Sequence, residues 1–381
     1  MNCSLHAPQI RPAEVADIPA LLELEEVCFE HDRISKRQFR YLITKARSAV
    51  ILVEQDGRIQ GDVVVLFSQA TSVARLYSIA VAPEARGAGT GSLLVKAAEN
   101  AAWERHRAYM RLEVRKDNTA SIALFTRLGY RRFGEWLDYY EDHMDAWRFE
   151  KTLASGLTTK LRELPYYEQT LEFTCGPAAL MMAMKALDDS IVLNRTLELR
   201  LWREATTIYM TSGHGGCGPF GLALAAARRD FLVEVFVNEP GVHLIDSVRS
   251  QDKKEVIRLV QEDMEQELAS LAVPISHEIL ATEELETKFE QGGMPLVLIS
   301  SWQIYGEKFP HWVAITGFDD YFVYVHDPFI DYDKGETVVD SFNMPIPREN
   351  FSRMSRYGKA KLQAAIILWP KNAKVPDIEA E

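Results

Sequence analysis

The stretch IAVAPEARGAGTGSLLVKAAENAA, residues 79–102, runs an apolar strand pattern into a helix through Arg86, Gly87, Ala88, Gly89, Thr90 and Gly91. Glycine at alternate positions lets the backbone turn through conformations closed to other residues and lets a ligand come close. The first turn of the helix that follows presents unpaired N–H groups and the positive end of the helix dipole. Strand, glycine-rich turn and helix in this order predict an α/β unit with an anion cradle suited to a pyrophosphate. No Lys-Ser/Thr pair follows the last glycine, which excludes a P-loop. Taken by itself the stretch is equally compatible with a plain strand-to-helix turn.

The neighbouring patterns extend the α/β reading. Ile18, Leu21, Leu22, Leu24 and Val27 fall near helical spacing. Two apolar runs flank Asp56-Gly57, the signal of a type I′ hairpin. After the cradle come a strand (AYMRLEV), a helix over 118–128 stopped by Gly129, and two more strands. At 381 residues the chain exceeds what one core usually supports, so two domains are expected. ASGLTTK, residues 154–160, is short, polar and poorly patterned, and marks the boundary.

Over residues 8–150 these motifs resemble the GNAT family of acetyl-CoA-dependent N-acetyltransferases, with RGAGTG as the family's R-x-x-G-x-G/A signature. LEVRKDNTASIALFTRLGY is similar to the ribosomal-protein-alanine acetyltransferase branch. The resemblance implies that Ile79, Ala80 and Val81 pair with the pantetheine arm of acetyl-CoA, that the N–H groups of Arg86 to Gly91 hold its pyrophosphate, and that Asn118 contacts the thiol end. It assigns the general base to Glu113. The acid of that branch is usually a tyrosine at the position of Phe125, and a phenyl ring donates no proton. Tyr130, Tyr139, Tyr140 or water stand as replacements.

In the second half, EQTLEFTCGPAALMMAM puts Cys175 at the head of an apolar helix. A helix start favours a thiolate, and Pro177 suits a first helical turn, where its missing N–H costs nothing. Helices are expected over 175–188, 195–206, 219–230 and 252–270, with strands FLVEVFV, MPLVLISSW, HWVAITGF, YFVYVHDP and LQAAIILW. Gln169, six residues before Cys175, is near enough to serve an oxyanion. His311 opens one strand and Asp327 ends the next; pairing about GFDDY brings them to one end of a hairpin, as base and orienter. His326 has the wrong parity to share the face of Asp327. Cys217 lacks an upstream glutamine and reads as a loop lining the cleft.

This Gln–Cys–His–Asp set resembles the papain-like fold and, more closely, the bacteriocin-processing, double-glycine cysteine peptidases, over roughly 160–370. That family cuts peptides after a small-residue site. The expected architecture is therefore α/β and α+β. A GNAT fold with a mixed central sheet occupies 8–152, with a linker over 153–160. A papain-like fold, a helical half plus an antiparallel sheet, follows over 161–370, with a polar tail over 371–381.

Composition narrows the function. A net charge of −12 argues against nucleic acid as partner. No apolar run approaches the roughly 18 residues a membrane span needs, and the N-terminus has no secretory apolar core. Four scattered cysteines, Cys3, Cys28, Cys175 and Cys217, form no disulfide framework, so a reduced, cytoplasmic protein is expected. His214, Cys217, His243 and His277 have no zinc-ligand spacing, and no metal is expected. The reading is a bifunctional enzyme with a peptide or protein substrate and acetyl-CoA as co-substrate; oligomeric state stays open. The alternative is an acetyl-CoA-binding domain that regulates a cysteine peptidase or amide-transfer enzyme.

Overall fold

The structure, a computed structural model, describes residues 7–68, 71–154, 160–206, 215–245, 248, 250–306, 309–332 and 338–371. The chain divides into two compact units, Met1–Leu157 and Thr158–Glu381.

The first unit contains β1 (Gln9–Pro12), α1 (Ile18–Cys28), α2 (Lys36–Thr44), β2 (Ser48–Gln55), β3 (Arg58–Phe67), β4 (Val73–Val81), α3 (Thr90–Trp103), β5 (Tyr109–Arg115), α4 (Thr119–Arg127), β6 (Arg131–Trp136) and β7 (Ala146–Thr152). Its sheet runs β1-β2-β3-β4-β5-β7-β6. β2 and β3 turn at Asp56 and Gly57, both left-handed with φ 51° and 73°, the geometry a type I′ turn demands. Only β4 and β5 pair in parallel, and their pairing ends at Arg75↔Arg111. Opposite Val64 and Val65, β4 carries one extra residue, Tyr77, a bulge that bends the strand. Beyond that point β4 and β5 share no ladder, which opens a wedge between them. α3 covers one face of the sheet through Leu94, Val95, Ala98 and Ala102.

The second unit begins with β8 (Lys160–Leu161), then α5 (Cys175–Leu187), α6 (Arg195–Ala205) and α7 (Pro219–Ala227). It continues with β9 (Leu232–Val237), α8 (Gln251–Ser270), β10 (Ile275–Ser276), α9 (Thr282–Glu290), β11 (Met294–Ser300) and α10 (Trp302–Tyr305). β12 (Pro310–Phe318), β13 (Phe322–His326), α11 (Val338–Ser341), β14 (Met344–Pro347), α12 (Arg348–Met354) and β15 (Ala364–Trp369) complete it. The sheet order is β10-β9-β15-β11-β12-β13-β14, with β8 added on β12. It is antiparallel as expected except that β10 pairs β9 in parallel. Lys160, expected in the linker, instead starts this sheet: β8 pairs with Gly317 and Phe318. Gly317 is obligatory there, since a Cβ would stand 2.3 Å from the Lys160 carbonyl oxygen. α5 and α7 are apolar all round and buried, which places them against the sheet as a helical layer.

Two candidate sites, one in each unit

In the first unit the wedge between β4 and β5 continues into a cleft of about 670 Å³. Ile79, Ala80, Val81, Arg86, Gly87, Gly89, Gly91 and Asn118 line it, as the sequence suggests, joined by Cys28, Phe29, Ser92 and Arg127. Gly89 is the N-cap of α3 at φ 91° and offers no side-chain cap, so the first-turn N–H groups face the cleft uncapped. A Cβ at Gly87 or Gly89 would meet nothing within 4 Å. Open backbone of this kind fits a phosphate group. Two expected cradle residues do not line the cleft. Thr90 is buried with its hydroxyl donating to the Ala85 carbonyl (3.3 Å), and Ala88 points to solvent between its two left-handed neighbours. Asn118 caps α4 by accepting from the Ser121 N–H (3.0 Å).

Glu113 is not the free carboxylate a simple base would be. Arg75 holds its Oε2 at 3.1 Å, and the same guanidinium donates to the Tyr139 hydroxyl (2.7 Å), which lies 3.5 Å from Glu113. Burial, and next the charge of Glu113, push the Tyr139 phenol up, with Arg75 opposing. Phe125 is buried, edge-on to Tyr130 (5.3 Å), and Tyr140 lies edge-on to Tyr139 (4.9 Å). Of the three tyrosines considered, Tyr139 is the one that meets Glu113 and Arg75 by hydrogen bonding.

In the second unit Cys175 is the first residue of α5 and is buried. His311 on β12 directs Nε2 at Asp327 Oδ1 (2.5 Å), leaving Nδ1 for the thiol. Burial works against the imidazolium, but the charges of Asp327 and a Cys175 thiolate outweigh it and raise His311 to about 10. Asp327 is itself fixed: its Oδ1 accepts the Phe329 N–H (2.9 Å) and its Oδ2 the Tyr305 hydroxyl (2.8 Å). His326 is spent elsewhere, between the Leu164 carbonyl (2.8 Å) and the Asn343 N–H (3.0 Å). Gln169 is buried with its amide donating to the Leu171 carbonyl (2.8 Å), which leaves one of its two N–H bonds uncommitted. Cys217 is buried; burial, and then the neighbouring Cys175, push its thiol well up. The Trp312 indole, next to His311, donates to the Cys217 carbonyl (3.0 Å).

Sequence reasoning missed Tyr305 and Glu198. Tyr305 lies in a four-residue helix with no periodicity to read. Glu198 left a signal: it shares the buried face of α6 with Leu201 and Ala205. Among the described residues no three His, Cys, Asp or Glu are grouped to hold a metal; His214 lies outside the described residues. No described helix is long and apolar enough to cross a membrane.

The second unit thus brings a helix-start thiol, a histidine and an aspartate together. The chain belongs to the Peptidase_C39 like family, whose model matches residues 164–369. Residues 18–130 match the Acetyltransferase (GNAT) family, and the first unit is a GNAT acetyltransferase domain. An uncharacterized N-acetyltransferase of Methanocaldococcus jannaschii is 36% identical over 96 residues, 25% of this chain and 60% of that one. A Bacillus subtilis protein, named as a candidate [ribosomal protein bS18]-alanine N-acetyltransferase, is 25% identical over 134 residues, 35% of this chain and 87% of the relative. The crystal structure of the Escherichia coli ribosomal-protein-S18-alanine N-acetyltransferase has 25% identity and a TM-score of 0.36, covering 39% of this chain and 96% of its own. GNAT acetyltransferases use acetyl-CoA, and the uncapped α3 start, the open glycines and the unpaired β4 edge fit it.

Proposed function

We propose that the chain is a bifunctional enzyme acting on peptides or proteins, with an amine-acetylating first unit and a peptide-bond-cleaving second unit. The observation that carries the reading is the run Asp327–His311–Cys175, with His311 in contact with both partners. His311 Nδ1 takes the thiol proton and the thiolate attacks the substrate carbonyl carbon. The Cys175 N–H and the uncommitted N–H of Gln169 stabilise the oxyanion. His311 returns the proton to the departing amine, and water then releases the acyl group from Cys175. Asp327 keeps the imidazole turned toward the thiol throughout.

In the first unit acetyl-CoA, when bound, supplies an activated thioester. The N–H groups at the α3 start hold phosphate, and the β4 edge holds the arm. Glu113 accepts the amine proton, and the Tyr139 hydroxyl, hydrogen-bonded with Arg75 and Glu113, supplies one to the departing sulfur. A second reading, an acetyl-CoA-binding unit that regulates the peptidase, is favoured by the Arg75 ion pair that already occupies Glu113; it predicts binding of acetyl-CoA without thiol release.

Iodoacetamide labelling across pH, read by mass spectrometry, tests the cysteine site. Cys175 should alkylate well below the roughly 8.5 of a free thiol, and His311→Ala should move that reactivity upward. Labelling of Cys217 first, or of Cys175 only near 8.5 whatever occupies position 311, would contradict the assignment.

A further inference from the structure

α6 is polar on its outer face and buries Glu198, Leu201 and Ala205 on one side. Glu198 is fully buried, and a carboxylate removed from water is tolerated only when its oxygens are hydrogen-bonded. Its donors all come from the segment leading into Cys175. They are the Tyr167 hydroxyl (3.0 Å), the Thr170 N–H (2.8 Å), the Thr170 hydroxyl (2.6 Å) and the Thr174 hydroxyl (2.5 Å). None of these donors is cationic, so the carboxylate is solvated by the segment without being neutralised by it.

Thr174 is the N-cap residue of α5, where a threonine hydroxyl ordinarily accepts an N–H of the first turn. Here it makes no such bond; the hydroxyl turns to the Leu171 carbonyl and to Glu198. The N–H groups of Cys175 and Gly176 are therefore left uncapped by a side chain at the end of the helix where an acyl oxyanion would need them. The same clamp grips Tyr167 and Thr170 on either side of Gln169.

We propose that Glu198 is a positioning residue that sets the reactivity of Cys175, by anchoring residues 167–174 and by holding a negative charge beside the α5 start. The inference rests on the reading of Cys175 as nucleophile. The titratable groups that interact with Cys175 are His311 from β12, with Asp327 behind it, and Cys217 ahead of α7; Glu198 from α6 reaches the preceding N-cap residue, Thr174. The helix start and His311 favour the thiolate; Glu198 opposes it.

The test is the pH profile of Cys175 alkylation by iodoacetamide in the full chain. Glu198→Gln removes the charge and should lower the midpoint by on the order of one pH unit, the size of a single nearby charge in a protein medium. Glu198→Asp keeps the charge while shortening the clamp and should leave the midpoint near the wild-type value. Thr174→Ala, a milder change that tests the idea even if Glu198→Gln does not fold, removes the hydroxyl that shields the carboxylate and should raise the midpoint. A folded Glu198→Gln with the wild-type profile, equal shifts in Gln and Asp variants, or an unmoved or lowered midpoint in Thr174→Ala would each overturn the proposal. A failure of the nucleophile reading is separate, since there His311→Ala would leave the profile unmoved.

Discussion

Phe125 cannot donate a proton, and the hydroxyl nearest the task belongs to Tyr139, held by Arg75 at 2.7 Å beside Glu113. Tyr139→Phe should slow acetyl transfer by about 10²-fold or more, the lower end of general acid–base contributions, with little loss of acetyl-CoA binding. Thiol release followed with a colorimetric thiol reagent, beside calorimetric binding, checks this. An unchanged rate would give the acid role to water or to another group. A second buried feature of the same unit is the carboxylate pair Glu25 and Asp62. Both are buried; among the described residues neither Asp62 oxygen has a hydrogen-bond partner, and Glu25 accepts the Ile34 N–H (2.7 Å) on one oxygen while its other has none. Burial, and then the Glu25 charge, raise Asp62 well above the usual range, and burial raises Glu25 to about 7. Raised folded-state values mean that this pair contributes most stability below the unfolded Glu value of about 4.5 and that the contribution is lost as pH rises through about 7. Glu25→Gln should flatten this loss. Urea unfolding followed by hydrogen exchange on α1 and β3 peptides reads it, and an equally steep decline in the variant would contradict the account.

At the scale of elements, the features carried by local chemistry were legible in the sequence. Asp56-Gly57 demanded a type I′ turn, the glycines marked the α3 start, and strand parity separated Asp327 from His326. What was not legible depends on tertiary contact. Glu198 reads as one more polar residue of a polar helix until the segment 167–174 folds over it. Tyr305 matters only because a four-residue helix lays its hydroxyl on Asp327, and the Arg75–Glu113 pair joins strands whose partnership ends at Arg75. Lys160 reads as linker in the sequence because two residues of strand show no periodicity. The cradle yields a direct prediction. The Cβ of Gly89→Asp meets no protein atom within 4 Å, and the left-handed residue adds strain, yet the change sets a carboxylate where phosphate should lie. Calorimetry should find acetyl-CoA binding lost in a variant that melts within a few degrees of wild type; retained affinity would contradict the cradle.

At the scale of the molecule, the two chemistries proposed for the two units would complement one another. Cleavage of a peptide bond at Cys175 frees an α-amine, and an amine is what the first unit would acetylate. A peptide or protein is the partner the two units would have in common under the proposed function. The most direct test compares cell-derived peptides incubated with wild type and with Cys175→Ala, each with and without acetyl-CoA, by mass spectrometry. The account predicts new peptide termini with wild type alone, and acetyl groups on the newly formed amino termini only when acetyl-CoA is present. The same new termini generated by Cys175→Ala, or none generated by wild type, would contradict it.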